Sequence, residues 1–400
     1  MNITIISNFY FPEDSGIGLY STGMAEFLAK KHNVKVITAM PYYPQWKIHL
    51  DYKNKGIFYT ETINNVEIFR FKQYVPSNPT FVKRIIQMIH FFVGSIINVL
   101  KIKKNDIVIV VMPFTISILL GWFLKTIRGG KIIVHVQDFE FDAAFETGLS
   151  KKTGLLHKII FKIERVFLNR ADSISTISYG MLKKLETKTN APTFYFPNWI
   201  DYSKINPELA KPNKLFDNNK FNVLYSGNIG AKQDWDFFIA FVEKCIVFPE
   251  IQIILVGEGG KKEDVLKEIK NYSNCIYYPP VKYEELNDLL CNADVHILFQ
   301  KTAVVDSVMP SKILGMMASE VPSIVTGHEK SEVNINFKNS NGGYYYFEEN
   351  RLDEIIKTIL LLKKDKKLSK EIGERARTFV VNEFSFEKVL NDFEKKIANN

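Results

Sequence analysis

The chain has 400 residues, of which 46% are apolar and 24% charged, and it carries a net charge of +8 with a pI near 9.0. Single cores stop growing at roughly 250–300 residues, so two domains are the default, and this composition excludes a disordered chain. Cys245, Cys275 and Cys291 show no C-x-x-C spacing and read as reduced, buried thiols of a cytosolic protein, while the dominance of lysine over arginine speaks against base reading and leaves anionic small molecules or surfaces as partners of the positive charge.

The amino terminus enters a strand directly at Ile3–Ser7, and no secretion signal is expected there. Ser21–Lys31 has apolar residues at helical spacing, and Val34–Ala39 is strand-like. Ile85–Leu100 runs sixteen residues without a formal charge, short of the ~20 that a bilayer span needs. Ile107–Met112 and Lys131–Gln137 are near-continuous apolar runs, and Ser173–Ser178 follows a basic amphipathic segment, Leu155–Phe167. Strands alternating with helices predict a parallel sheet covered on both faces. A break at Phe196-Pro-Asn-Trp-Ile-Asp-Tyr precedes a polar stretch, Pro207–Asn219. A second α/β series then begins, with strands expected at Val223–Tyr225, Ile251–Val256, Cys275–Tyr278, Val295–Phe299 and Ser323–Thr326. Ser369–Ala398 reads as two amphipathic helices. The expected architecture is two doubly wound α/β domains, residues 1–200 and 201–375, with a terminal helix, 376–400, crossing back. Ligands of such sheets bind at the carboxyl ends of the strands.

Several motifs fall at those ends. Tyr10-Phe-Pro-Glu-Asp-Ser-Gly-Ile-Gly follows the first strand, where Gly16 and Gly18 suit close backbone approach. Lys131–Asp138 ends in polar groups, which makes His135 and Asp138 candidates for a general base or for orienting an acceptor hydroxyl, Asp138 being the better one. Tyr225-Ser-Gly-Asn-Ile-Gly-Ala-Lys is a strand ending in a glycine loop. Gly227 and Gly230, followed by Lys232, form a phosphate-cradling arrangement there, and Gly257 marks a third glycine turn. Asp306-Ser-Val-Met-Pro-Ser-Lys opens a helix, whose first turn, with Ser311 and Lys312, suits an anion. Asp234-Trp-Asp236 has the spacing of an acidic metal motif but sits at a helix start, where capping is the preferred reading, so no metal is expected. Residues 81–100 and 155–170, flanked or interleaved by Lys83, Arg84, Lys101, Lys103, Lys104, Lys158, Lys162, Arg165 and Arg170, are either ordinary helices or surface-lying membrane helices, with the second reading preferred.

With these residues assembled, the sequence resembles the GT-B superfamily of retaining glycosyltransferases, within it family 4, and more narrowly the colanic-acid and fucosaminyl-transferase-like branch. The marks are Phe9-Tyr-Phe-Pro-Glu-Asp-Ser-Gly-Ile-Gly, Pro41-Tyr-Tyr-Pro, His135-Val-Gln-Asp, Ala171-Asp-Ser-Ile-Ser-Thr-Ile-Ser, Pro197-Asn, Ser226-Gly-Asn-Ile-Gly-Ala-Lys-Gln and Val308-Met-Pro-Ser-Lys. The resemblance implies two Rossmann-like domains facing across a cleft, the C-terminal helices packing back on the N-terminal domain. It implies transfer of a sugar, an N-acetylated deoxyhexosamine or a hexose, to a lipid-linked or oligosaccharide acceptor in bacterial surface glycan synthesis. The donor would be a nucleotide-sugar co-substrate, a UDP-sugar over a GDP-sugar, with no metal or other cofactor and no nucleic-acid partner, in the cytoplasm at the inner face of the membrane. Lys232 would contact the diphosphate and Gly16 would reach the phosphate and sugar. The backbone near Val281 would meet the base, and the segment Asp306, Ser307, Val308, Met309 would hold the donor. The family often has two glutamates where this chain has Ser307 and Gly315, an arginine near Asn228, and a glycine at Glu320. A GT-B-fold epimerase and a non-catalytic nucleotide-sugar-binding protein are the alternatives.

Overall fold

The computed structural model describes residues 1–13, 16–139, 141–142, 154–302, 312–347 and 351–398. The chain divides into two compact units. Unit 1 comprises Met1–Pro197 with Asp392–Asn400, and unit 2 comprises Asn198–Asn391. Each is a Rossmann-like α/β unit built on one sheet, parallel throughout in unit 2 and parallel but for one edge strand in unit 1.

The strands of unit 1 are β1 (Asn2–Ser7), β2 (Asn33–Ala39), β3 (Phe58–Ile63), β4 (Val66–Phe71), β5 (Ile107–Met112), β6 (Lys131–Val136), β7 (Ser173–Thr176) and β8 (Thr193–Tyr195). They lie in the order β3-β4-β2-β1-β5-β6-β7-β8. All neighbours are parallel except β3, which pairs antiparallel with β4. Every residue of β5 is buried, as expected of a strand with helices over both faces. The β3–β4 hairpin turns through Asn64 and Asn65, both at positive φ (49° and 64°). That left-handed pair is the tight turn whose twist matches the flanking strands, and asparagine tolerates it.

In unit 2 the strands are β9 (Phe221–Ser226), β10 (Ile251–Val256), β11 (Cys275–Tyr278), β12 (Val295–Phe299), β13 (Ser323–Thr326) and β14 (Gly343–Tyr346). Their order is β11-β10-β9-β12-β13-β14, all parallel. Within unit 2 this is the order 3-2-1-4-5-6, which reverses direction at β9 and opens a crevice beyond its carboxyl end.

Helix starts follow local chemistry. Ser178 Oγ accepts from Met181 N at 3.1 Å, and Asp234 Oδ1 accepts from Phe237 N at 3.2 Å, so Asp234 is the cap that its position suggested. The helix Lys366–Phe384 groups with unit 2. Arg377 on it bonds the carbonyls of Ile205 (2.7 Å) and Ala318. The return to unit 1 therefore starts at Asp392, later than the 376 expected. There Phe393 stacks on Phe196 with centroids 3.9 Å apart, and Glu394 pairs with Lys31 at 2.7 Å and His32 at 3.0 Å.

Candidate functional site

At the reversal point of unit 2, β9 ends in Ser226 and the chain turns through Gly227, whose φ of +130° favours glycine. This loop is bound to the ends of the neighbouring strands. Gly227 N donates to Val256 O (2.9 Å), Ile229 N to Glu258 O (2.8 Å), and Gly257 N to Tyr278 O (3.2 Å). A Cβ on Gly257 would lie 1.9 Å from Gly227 O, so two backbones meet where no side chain fits. Val281 follows two prolines beyond the end of β11, the strand beside β10. Gly227, Gly257 and the Val281 loop thus occupy three adjacent strand ends.

Lys312 opens the helix Lys312–Ala318 and reaches into this corner. Its Nζ donates to the Tyr225 hydroxyl at 3.0 Å and lies 4.4 Å from the centre of that ring. A Cβ on Gly227 would be 3.2 Å from the same Nζ. The Tyr225 hydroxyl in turn donates to Asn228 O at 2.7 Å, which ties the lysine to the glycine loop. Tyr225 is buried, and burial pushes its phenol well up, so it stays neutral and donates. No carboxylate among the described residues pairs with Lys312, and burial pushes its amine down to about 7. A desolvated cation held against a glycine turn with no counter-ion among the described residues is suited to a phosphate group, which would complete its electrostatics.

Lys232 lies on the same loop with its side chain exposed, while its carbonyl accepts from Lys301 N at 3.3 Å. Asn228 is exposed at the loop's tip. Gly315 faces Leu290, whose Cδ1 would be 3.3 Å from an added Cβ, so a longer side chain there would press on Leu290. Asp306, Ser307, Val308, Met309 and Ser311 lie outside the described residues. Sequence reasoning missed Tyr225, although an aromatic hydroxyl immediately before the glycine loop was the available signal.

In unit 1 the loop after β1 occupies the equivalent reversal point, between β2 and β5. Gly16 opens the helix Gly16–Ala29. At Gly18 a Cβ would sit 2.6 Å from Glu13 O. Glu13 is buried beneath this loop. Its Oε1 accepts from Tyr42 N and Tyr43 N, both at 2.8 Å, while Oε2 is buried without a hydrogen-bond partner. Desolvation pushes this carboxyl up to about 7. Arg70, fully buried, donates to Phe11 O at 2.6 Å and braces the same loop. Sequence reasoning did not single out Glu13, since its neighbours come from distant loops.

His135 is a buried residue of β6. The Gln137 amide donates to its Nε2 at 2.8 Å, which leaves the proton on Nδ1 for Ser175 Oγ at 2.9 Å. Burial pushes it down to about 3. Both of its nitrogens are therefore engaged within the core of unit 1, and the ring is neutral. Asp138, just beyond the strand end, is half-buried.

Comparison with known proteins follows this geometry. The family described as glycosyl transferases group 1 matches residues 207–379, which contain the whole glycine–lysine corner. The Escherichia coli K12 protein WcaI, which carries the name of a colanic acid biosynthesis glycosyl transferase, is 31% identical over 394 residues, 94% of this chain and 96% of its own. Among solved structures, sucrose-phosphate synthase from Thermosynechococcus elongatus superposes with a TM-score of 0.76 at 13% identity, covering 100% of this chain and 98% of that one. Anabaena HepE, solved in complex with UDP, gives 0.71 at 12% identity with both chains fully covered.

Proposed function

The chain belongs to the group 1 glycosyltransferases, family 4-like enzymes of GT-B fold, and from that premise we propose that it moves a sugar from a nucleotide-diphosphate donor to a lipid-linked or polysaccharide acceptor of a bacterial surface glycan. A UDP-sugar is the donor, an N-acetylated deoxyhexosamine or a hexose, and transfer proceeds with retention and without a metal. The work takes place in the cytoplasm at the inner face of the membrane, with peripheral membrane contact.

The observation that carries this reading is the Lys312 ammonium, held against Gly227 at the reversal point of the unit 2 sheet and paired with no carboxylate among the described residues. The departing nucleoside diphosphate develops negative charge as the anomeric C–O bond breaks. A fixed cation and backbone N–H groups in place before the reaction stabilise that charge without reorganising. The acceptor oxygen forms the new bond to the anomeric carbon, and its proton leaves with the diphosphate. Lys232, exposed on the same loop, closes on the diphosphate as a second cation.

The test is a two-part measurement on the purified chain. UDP and UDP-sugars, and not GDP, should raise the melting temperature, because a ligand that binds only the folded state stabilises it. Incubation with a UDP-sugar and a lipid-diphosphate-linked acceptor should give a glycosylated acceptor. Binding without any transfer, or isomerisation of the donor alone, would overturn the assignment.

A further inference from the structure

In unit 1 the connections from β4 to β5, β5 to β6 and β6 to β7 all run in one direction across the sheet. Right-handed crossovers therefore place the helices Phe81–Lys101, Ser117–Arg128 and Leu155–Leu168 on one face of it, side by side. Their inner sides belong to the core: Met88, Phe91 and Val99 of the first helix are buried, as are Gln87, Ser95 and Asn98.

Their outer sides do not resemble solvated helix surface. On the first helix Val82, Ile86, Ile89, Val93, Ile97 and Leu100 recur every three or four residues, and each is between 47% and 63% exposed. That spacing draws one continuous apolar stripe. Ile159, Ile163 and Val166 repeat the pattern on the third helix, at 43–47% exposed. Between them Trp122 of the middle helix is exposed, with the Arg170 guanidinium 4.7 Å from its ring.

Charge decides what covers this surface. Among all residues of the three helices the sole carboxylate is Glu164, which is buried and bonded to Lys188. Arg84, Lys158, Lys162 and Arg165 are exposed. A second copy placed on it through a two-fold axis would set cation against cation. The first helix is long and apolar enough to cross a membrane, but crossing would put β4 and β5 on opposite sides of the bilayer, and both belong to one sheet. An anionic bilayer surface supplies an apolar layer at shallow depth and negative charge above it.

We propose that the outer surface of these three helices is a membrane-docking face that lies flat on anionic phospholipid, with the Val82–Leu100 stripe at the boundary between headgroups and acyl chains. The test uses the purified full chain with no sugar donor or acceptor, so it stands or falls separately from the transfer reading. The chain should co-sediment with vesicles containing phosphatidylglycerol and much less with pure phosphatidylcholine, and added salt should weaken the binding. The double variant Ile89→Glu/Val93→Glu should lose at least about tenfold in vesicle affinity, since it removes stripe area and adds repelled charge. Its circular-dichroism melt should be unchanged, because both side chains already face solvent. Val247→Glu, at a still more exposed apolar position of unit 2, should leave vesicle binding intact. The proposal is overturned if the wild-type chain ignores anionic vesicles, binds neutral ones equally well, or is matched by the double variant. It is equally overturned if sedimentation velocity shows a dimer that the double variant makes monomeric.

Discussion

The ammonium of Lys312 lies 3.0 Å from the hydroxyl of Tyr225 and 4.4 Å from the centre of the same ring, so one aromatic side chain holds it both by an oxygen lone pair and by a π face. These contacts only partly replace the water that the cation gives up. The amine consequently titrates near 7, and the empty protein carries a cost that an anionic ligand relieves.

Replacing Lys312 with methionine should therefore separate activity from stability. A lysine whose folded-state value lies below its unfolded value destabilises the fold when protonated. The full cost is present below about pH 7 and fades as pH rises towards the unfolded value of ~10.4. Lys312→Met should raise the melting temperature of the ligand-free protein by about 2–4 °C at pH 6, with the gain shrinking by pH 10. Transfer should fall on the order of 10²–10³-fold. A lower melting temperature together with normal turnover would refute the role given to this lysine.

The same titration sets the pH dependence of nucleotide binding. Only the protonated amine attracts a diphosphate, so UDP affinity should fall as pH rises from 7 to 9, and at pH 8 binding should draw a proton from solvent. Calorimetry in two buffers of different ionisation heat reads that proton directly. Affinity independent of pH with no proton uptake, or the same dependence persisting in Lys312→Met, would show that another group is responsible.

Backbone contact in the glycine corner should be measurable with two alanines. Gly257→Ala sets a methyl carbon 1.9 Å from Gly227 O, whereas Gly260→Ala meets nothing within 4 Å. The first should displace the β9 loop, lower stability by at least about 2 kcal/mol and weaken UDP binding. The second should leave both near wild type. Equal behaviour of the two in denaturant and binding titrations would mean that the loops do not depend on this contact.

Glu13 gives a prediction in unit 1. Its carboxyl is pushed up to about 7, above its unfolded value, so its protonated form favours folding. That contribution is complete below about pH 4.5 and is lost as pH rises to 7. Glu13→Gln keeps an oxygen for the Tyr42 and Tyr43 amides and cannot ionise. The melting temperature of the variant relative to wild type should climb between pH 5 and 7 and then level off. A flat difference would place the carboxyl in a wetter setting than the buried one described above.

Much of the framework was legible in the sequence. Ile251–Val256, Cys275–Tyr278, Val295–Phe299 and Ser323–Thr326 were expected as strands and are strands with those bounds; in the three other than the half-buried edge strand Cys275–Tyr278, burial on both faces is written as a largely apolar run. The edge strands β3 and β14 escaped notice: Phe58–Ile63 alternates with polar residues, and Gly343–Tyr346 is short and tyrosine-rich. At the site, glycines and Lys312 announced themselves by type and position. The Tyr225 contact and the burial of Glu13 did not, since both depend on groups brought together from distant segments. Glu320 is an instructive case. Standing where the resembled family has glycine, and just past the end of the helix Lys312–Ala318, it holds a left-handed φ of 62°, a conformation that commonly ends helices and that glycine adopts at least cost.

The last residues of the chain, grouped with unit 1, have a consequence for synthesis. Most of unit 1 is translated before unit 2, yet Phe393 and Glu394, which meet Phe196, Lys31 and His32, emerge only after unit 2. Unit 2 can close as soon as its own stretch has emerged, while the earlier-born unit waits for its final helical turns. A fragment stopped at Pro197 would expose the ring face that Phe393 covers, so a stand-alone version of that half requires the tail to be grafted back on.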